Sequence, residues 1–531
     1  MFFKSKDGFS PLAKKRTQYN TVLASYASAN GISLNSISWC SFISLVILFI
    51  LGLDVYSAVA MKVPDNDAYF LIATGREILK NRAVPTTNIW TWHEGFSIIV
   101  QQWIPCVINA LVYDNFGVIG MLGLTLTLLT VLFIVLYRYI SLYVNGDFLP
   151  GCMRGLVLGI VSLICFPLYT TRPQIFSAIF IILELTALEK FSRLKELTLT
   201  SYMAFTLKMA VISLFEINFH CSMWFMLFLI AAAYIVPKVC EIPQKSEISR
   251  VLSYILTLVA MIMMGFLNPN GINGILYLYK ASSSHYFGNM IQEMQPLTFS
   301  TYAIPVIVVA LMFARQNLRN IKAAHVYLTL GLSLLSVMHM RSYWMIAIPM
   351  IILSSRWLSA YRLEKLDRYN VTWVLKPALV SVMLVFFGIY TQFATNEVFT
   401  TSAVTYVDPL LDNLSGYDKD DIRLFNGYGE GDYIEMQGYK VYIDARAEAY
   451  MKNINGKDDI YSEYSNVLYG YDPKEPLNVF DYGRFIDKYN FTHILVTVNS
   501  RMAIHMQSDD RFHLMEKNKM YMLYERNGFA D

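Results

Sequence analysis

The chain has 531 residues, of which 55% are hydrophobic and 16% charged, with a formal net charge of +3 and a mean hydropathy of +0.40. A chain this long and this apolar lacks the polar surface of a water-soluble globule, and the bilayer is its expected solvent. Its basic residues are scattered between apolar runs instead of forming one stripe, which argues against a nucleic-acid partner.

In chain order, residues 1–38 carry Lys4, Lys6, Lys14, Lys15 and Arg16 without a small-residue cleavage site behind a short apolar core. They read as a cytoplasmic tail ahead of an uncleaved anchor. Apolar runs long enough to cross about 30 Å of hydrocarbon follow at 39–60, 116–140, 152–170, 173–190, 200–218, 221–240, 250–267, 301–315, 323–339, 342–358 and 372–394. They predict about eleven spans in a transmembrane domain of residues 39–395. A large loop, 61–115, separates the first two, with a helix expected near 97–113. Gln101 and Gln102 mark it as an amphipathic helix at the interface instead of a span. On that assignment the inside turns hold 20 Lys and Arg and the outside turns seven, which places the N-terminus in the cytoplasm and the C-terminus outside. The six cysteines lie in or beside the apolar runs and suggest neither a disulfide framework nor a zinc site.

Residues 396–531 change character, with 23 Asp and Glu against 14 Lys and Arg. Strand-like runs at 439–443, 493–498 and 520–525 and a helix-like stretch at 481–490 predict a small α/β domain, long enough to bury its own core. The expected fold class is thus a polytopic α-helical membrane protein with a small C-terminal extracytoplasmic α/β domain.

The polar residues that stand out all fall on the outside turns. Asp65 and Asp67 directly follow the first span; either they are solvated interface carboxylates, or one of them is a general base or a cation ligand. Arg172 with Gln174, Asn218 with His220, Asn268 in an Asn-Pro-Asn-Gly turn, Glu293, and His339 with Arg341 complete the set. Taken singly, each has a structural explanation, since Asn-Pro-Asn-Gly is a turn by its own chemistry and an arginine anchors helix ends at headgroups. Together they point to one face, and ionisable groups at membrane depth are costly enough to suggest function for His220, Glu293 and Arg341. Tyr69, Trp90, Trp92 and Trp103 are candidates for stacking on sugar rings or for an interfacial aromatic belt. In the C-terminal region Asp444, Arg446 and Glu448 follow the YKVYI run. Arg446 either binds an acceptor or forms a structural knot with its acidic neighbours. The Gly427, Gly429 and Gly431 stretch lacks the spacing of a phosphate-binding loop.

These residues resemble the GT-C superfamily of bacterial membrane glycosyltransferases. The matching segments are Asp65-Asn66-Asp67, Ala73-Thr74-Gly75-Arg76, Pro85-Thr86-Thr87-Asn88 with Trp90, Arg172-Pro173-Gln174, Asn218 and His220, Asn268 to Gly271, Glu293, and Asp444 to Glu448, so the likeness runs from about residue 40 to about 525. Leu71, Gln102 and Ala445 depart from the pattern, the first two removing polar candidates for a metal site. The resemblance implies inverting hexosyl or pentosyl transfer from a polyprenyl-phosphate sugar to an extracytoplasmic acceptor: a cell-surface glycan, a glycolipid or a protein. Asp65 or Asp67 is then the base that activates the acceptor. Arg172, His220 and Arg341 stabilise the lipid phosphate, Gln174, Asn218, Asn268, Asp444 and Arg446 line the substrates, and Glu293 positions sugar or acceptor. Metal dependence stays open, with Mg or Mn the divalent cations to consider. A transporter or flippase of a lipid-linked substrate is the competing class, but no internal repeat supports it and the polar clusters lie at one surface instead of the midplane.

Overall fold

The computed structural model describes residues 64–144, 149–240, 245–282, 294–297, 303–316, 321–360, 402–472 and 475–529. The predicted spans at 39–60 and 372–394, and Glu293, lie outside the described residues.

Helix α1 (Asp67–Asn81) packs against α2 (Trp103–Ile140) with the two backbones nearly touching: a Cβ on Gly75 would lie 2.0 Å from the Cys106 carbonyl oxygen. Within α2, Gly117 takes φ 58°, ψ −150°, which breaks the helix and which glycine alone adopts freely. The break falls where the sequence places the change from interfacial helix to span. The interfacial helix starts at Trp103, later than the expected 97. Ser97 bridges Thr87, and Ile98 N–H donates to the Thr86 carbonyl at 2.9 Å, so loop pairing holds this segment extended.

The remaining membrane helices are α3 (Leu149–Ile164), α4 (Gln174–Ser192), α5 (Leu199–Phe219), α6 (Cys221–Cys240), α7 (Lys245–Gly265), α8 (Ala303–Ala314), α9 (Ala323–Met338) and α10 (Ala347–Ala360). Nine of the predicted runs fall on described helices, as a polytopic membrane protein requires. Among the described residues, α2, α5, α6 and the Ile248–Gly265 part of α7 are each long and apolar enough to cross a bilayer unaided. Two runs are shorter than expected. Run 152–170 ends as a helix at Ile164 and continues as the 3-10 turn Phe166–Leu168, which contains Pro167, and run 342–358 begins as the 3-10 helix Met340–Ile346.

Helix α4 is central, with Ile181, Ile182, Leu185 and Leu188 at most 1% exposed. At its far end, buried Glu189 accepts from Arg193 at 2.7 Å, Lys322 at 2.9 Å and Tyr234 at 3.1 Å, and lies 3.1 Å from His325 Nε2, which clasps α4 to α6 and α9.

In the C-terminal region, β1 (Leu424–Phe425), β4 (His493–Thr497), β6 (Tyr521–Arg526) and β5 (Phe512–Lys517) form one sheet in that order, and β2 (Tyr471–Asp472) and β3 (Glu475–Val479) pair separately. β1 runs parallel to β4, and the other neighbours are antiparallel. Helices α11 (Gly431–Met436), α12 (Ile460–Tyr469), α13 (Tyr482–Tyr489) and α14 (Arg501–Met506) complete the unit. The helix expected at 481–490 is α13, capped by the Asp481 carboxylate accepting from Arg484 N–H at 2.9 Å. The strand expected at 439–443 is absent. Val441 N–H donates to the Trp90 carbonyl at 2.9 Å, and the Asn426 side chain bonds Tyr442 N–H and the Ile443 carbonyl, so these groups are satisfied outside the sheet. Nor does this region bury a core by itself. Phe70, Leu71, Trp90, Phe96 and Ile98 of the first loop pack in one apolar cluster with Tyr442, Tyr450, Phe485 and Phe491.

Candidate active site

The site forms where the N-terminal ends of α1 and α4 meet. Arg172, two residues ahead of α4, donates from Nε to Asp65 Oδ2 at 2.6 Å, and the same nitrogen lies 3.3 Å from Asp67 Oδ2. The three side chains stay partly open, Arg172 at 22%, Asp65 at 15% and Asp67 at 29% exposure. One guanidinium thus bridges the two carboxylates that the sequence singles out.

One turn into α4, Gln174 and Ser177 lie on the same helical face. With the Gln174 amide oxygen toward Arg341, that oxygen accepts from Arg341 Nε at 3.1 Å and Nη2 at 2.7 Å. Ser177 Oγ donates to Glu216 Oε1 at 2.6 Å and lies 2.9 Å from His220 Nδ1. His220 is the single residue between α5 and α6, and the next amide, Cys221 N–H, donates to the Gln101 carbonyl at 3.0 Å, tying this junction to the first loop. Burial, and after it the positive charge of Arg341, pulls the pKa of His220 down to about 3, so the imidazole is neutral.

The C-terminal domain closes the other side. Asn66 donates from its amide to the Gly429 carbonyl, and Tyr428 donates its hydroxyl hydrogen to the Ala445 carbonyl at 2.7 Å. Glu448 accepts from Gln101 Nε2 at 3.4 Å and from the Tyr277 hydroxyl. These contacts bring a carboxylate of the C-terminal domain to the junction of the first loop and the segment after α7.

Several expected site residues are held in hydrogen-bond networks within the protein. Asn218 accepts from Trp103 Nε1 at 2.8 Å and donates to the Leu214 and Leu267 carbonyls, knotting α2, α5 and the end of α7 together. Asn268 builds its own turn through the Gly265 and Gly271 carbonyls and Asn270 N–H. Arg446 forms the knot that was the alternative to acceptor binding: it donates to Asp444 Oδ1 at 3.0 Å and Oδ2 at 2.6 Å, and to Glu435, and its guanidinium lies 4.6 Å from the Trp90 ring centroid. Burial opposes ionisation of both acids. Arg446 nevertheless holds Asp444 below the usual carboxylate range, while burial wins at Glu435 and pushes it well above. The aromatic residues proposed to stack on sugars are also engaged. Tyr69 is 1% exposed against Tyr433, Trp90 lies under Arg446, Trp92 donates to the Leu424 carbonyl, and Trp103 is held by Asn218.

Among the described residues, no three His, Cys, Asp or Glu side chains converge as metal ligands. The Asp65 and Asp67 carboxylates present two such groups, and Arg172 sits between them as their cation. Glu448 was visible in the sequence only as the end of a motif and Gln101 only as the mark of an interfacial helix, whereas Ser177, Glu216 and Tyr277 gave no distinctive signal there. Each acts through a partner that is distant along the chain.

No family model and no curated protein sequence matches the chain. Solved structures do. The chain superposes on an oligosaccharyltransferase of Archaeoglobus fulgidus tethered to an acceptor peptide, with a TM-score of 0.54 at 10% identity, covering 86% of this chain and 69% of the other. It superposes on ArnT of Cupriavidus metallidurans bound to undecaprenyl phosphate with a TM-score of 0.50 at 10% identity, covering 92% and 98%. The apo form of that ArnT gives 0.53 at 11% identity, covering 90% and 97%. The helical membrane body, the two-helix first loop and the C-terminal domain packed on it give this chain the fold of the GT-C membrane glycosyltransferases.

Proposed function

We propose that the protein transfers a sugar from a polyprenyl-phosphate donor to a hydroxyl-bearing or amide-bearing acceptor at the extracytoplasmic membrane surface. The observation that carries this reading is the Arg172 bridge between Asp65 and Asp67. It puts a general base and an anion-binding group side by side, as removal of a proton from the acceptor and departure of a phosphate require. Asp65 fixes the guanidinium; Asp67, the more exposed of the two carboxylates, is the base. The transfer inverts the anomeric centre. Arg172, His220 and Arg341 bind the phosphate. Glu448 and Gln101 face the acceptor side. The likeness to a structure holding undecaprenyl phosphate and to one holding an acceptor peptide supports a lipid-linked donor and a separate acceptor. Were Mg or Mn bound, Asp65 and Asp67 would be the carboxylates to hold it, beside Arg172.

The charge pattern of the turns supports a cytoplasmic tail (1–38), a membrane domain (39–395) and an extracytoplasmic domain (396–531). The reading is tested by transfer of radiolabelled sugar from a panel of polyprenyl-phosphate sugars in membranes containing wild type, Asp65→Asn or Asp67→Asn at matched expression. Abolished transfer in Asp67→Asn, with residual transfer in Asp65→Asn, is the expected result. Full transfer by both variants would reject the assigned base, and inactivity of the wild type with every donor would reject the enzyme.

A further inference from the structure

Gln101 and Glu448, on the acceptor side, border a cavity between α1, residues 98–102 of the first loop and the 3-10 turn Ala447–Tyr450 of the C-terminal domain. At about 20 Å³ it has room for one water-sized group. Phe70, Ile98 and Ile454 wall it, and Gln101, Arg446 and Glu448 supply polar groups. Gln101 gives an amide hydrogen to Glu448 Oε1 at 3.4 Å, which turns its own Oε1 away from the carboxylate; that oxygen is buried and accepts no hydrogen bond among the described residues. The charges around the cavity do not balance. Arg446 is matched by Asp444, which it grips through Nε at 3.0 Å and Nη2 at 2.6 Å and keeps ionised against burial, while burial keeps Glu435 uncharged. Glu448 has no such cation: among the described residues its partners are Gln101 and the Tyr277 hydroxyl, both neutral donors. The wall thus presents an unbonded amide oxygen beside an uncompensated carboxylate, two acceptors that call for a donor carrying positive charge. The surrounding domain has the same sign, with 23 Asp and Glu against 14 Lys and Arg over residues 396–531, which draws cations towards it.

Position ties the cavity to the reaction. Asp67, Phe70 and Thr74 share one face of α1, and Phe70 and Thr74 both line the cavity. A group held there stands about 5–10 Å along the helix from Asp67. We propose that this cavity binds a primary ammonium group of the acceptor, held by Gln101 Oε1 and Glu448, so that the acceptor's reacting hydroxyl or amide is presented to Asp67. The inference rests on the glycosyl-transfer reading above and gives the acceptor a chemical class: a molecule with an alkylammonium arm a few bonds from the group that is glycosylated. Phe70, Ile98 and Ile454 cover the methylenes of the arm, while Gln101 and Glu448 take its head. A phosphate next to the ammonium, as in an ethanolamine head group, would meet Glu448 with Arg446 already committed to Asp444, so the arm carries no adjacent anion. No bond is made or broken at this contact, which fixes orientation.

The test is binding of butylammonium, and of 1-butanol as its neutral counterpart, to the purified full chain in detergent, followed by saturation-transfer NMR at neutral pH, where the amine is charged. Wild type is expected to bind butylammonium about tenfold more tightly than 1-butanol, the factor that one charge-assisted contact gives. In Glu448→Gln and Gln101→Leu, checked for native melting temperature, that ratio is expected to fall towards one, while Asp67→Asn keeps it. Phosphoethanolamine is expected to compete more weakly than butylammonium, again by about tenfold. Saturating butylammonium should also slow labelled-sugar transfer in wild-type membranes, and no slowing would separate the cavity from the acceptor. Equal binding of amine and alcohol, or a ratio unchanged in both wall variants, would overturn ammonium recognition and leave the cavity to water. Loss of the preference in Asp67→Asn alone would place the ammonium on the base, and equal competition by phosphoethanolamine would assign the cavity to a phospholipid head group; either result overturns the proposed arm. The binding measurement contains no donor, so its failure leaves the sugar-transfer result untouched, whereas inactivity of wild type with every donor overturns glycosyl transfer without altering the amine ratio.

Discussion

Arg172 Nε stands 2.6 Å from Asp65 Oδ2, joining the residue two places ahead of α4 to the residue two places ahead of α1, across 107 positions of sequence. This ion pair aligns two helix N-termini, whose unpaired amides favour negative charge. Arg172 thereby holds both the base and the anion-binding end of the site.

Arg172→Ala should lower sugar transfer by about a hundredfold to a thousandfold, the range seen when a preorganised charge-stabilising donor is removed. Arg172→Lys should recover only part of this, because an ammonium is a point charge without the planar fork that reaches two carboxylates. Initial rates with labelled donor check both, and equal rates for Lys and Arg would show that the fork is immaterial.

The Arg446 knot predicts a stability effect. Arg446→Met leaves Asp444 buried without its cation and should destabilise the chain by about 3–5 kcal/mol. Adding Asp444→Asn and Glu435→Gln to the same chain should restore much of the loss, because the uncompensated charge is then gone. Thermal unfolding in detergent separates the two, and a triple variant no more stable than the single one would count against a charge origin.

Gly75→Ala tests the approach of α1 to α2. The added Cβ would lie 2.0 Å from the Cys106 carbonyl oxygen and 2.7 Å from Ala110 Cβ, so the helices must separate. The cost expected is about 1–3 kcal/mol, as for overpacking. Transfer should fall as well, since α1 carries Asp67 in its first turn. A variant with native stability and activity would mean that the contact is looser than described.

Two buried histidines set an acid limit on stability. Burial lowers the pKa of His93, and of His493, from 6.5 to about 4; at His93 the hydrogen bond to the Tyr442 carbonyl works the other way, and Lys488 and Arg423 add to the lowering. Between those values the unfolded chain binds more protons than the folded one. Stability from each is therefore complete above pH 6.5 and is lost as pH falls towards 4, by up to about 3 kcal/mol per histidine. His93→Gln should flatten the melting temperature between pH 4.5 and 6.5 relative to wild type. An equal slope in the two proteins would exclude His93 as a source.

What the sequence alone determined was whatever is written locally. Apolar runs specify bilayer helices because each helix satisfies its own backbone within the run, and nine of the eleven runs fall on described helices. The α13 helix and the β4 and β6 strands were likewise legible from local periodicity and capping. The first-loop carboxylates and Arg172 were legible as candidates because charged residues beside a span are conspicuous. What only the tertiary structure decided was which polar groups meet. Asn218, Asn268 and Arg446 stand out in the sequence as polar candidates, and only the tertiary structure shows which groups each of them bonds to. Ser177 and Glu216 look like ordinary helix residues until His220 is placed beside them. The strand expected at 439–443 failed for the same reason: a hydrogen bond is settled by whichever partner arrives, and here Trp90 and Asn426 reach that backbone from elsewhere in the chain.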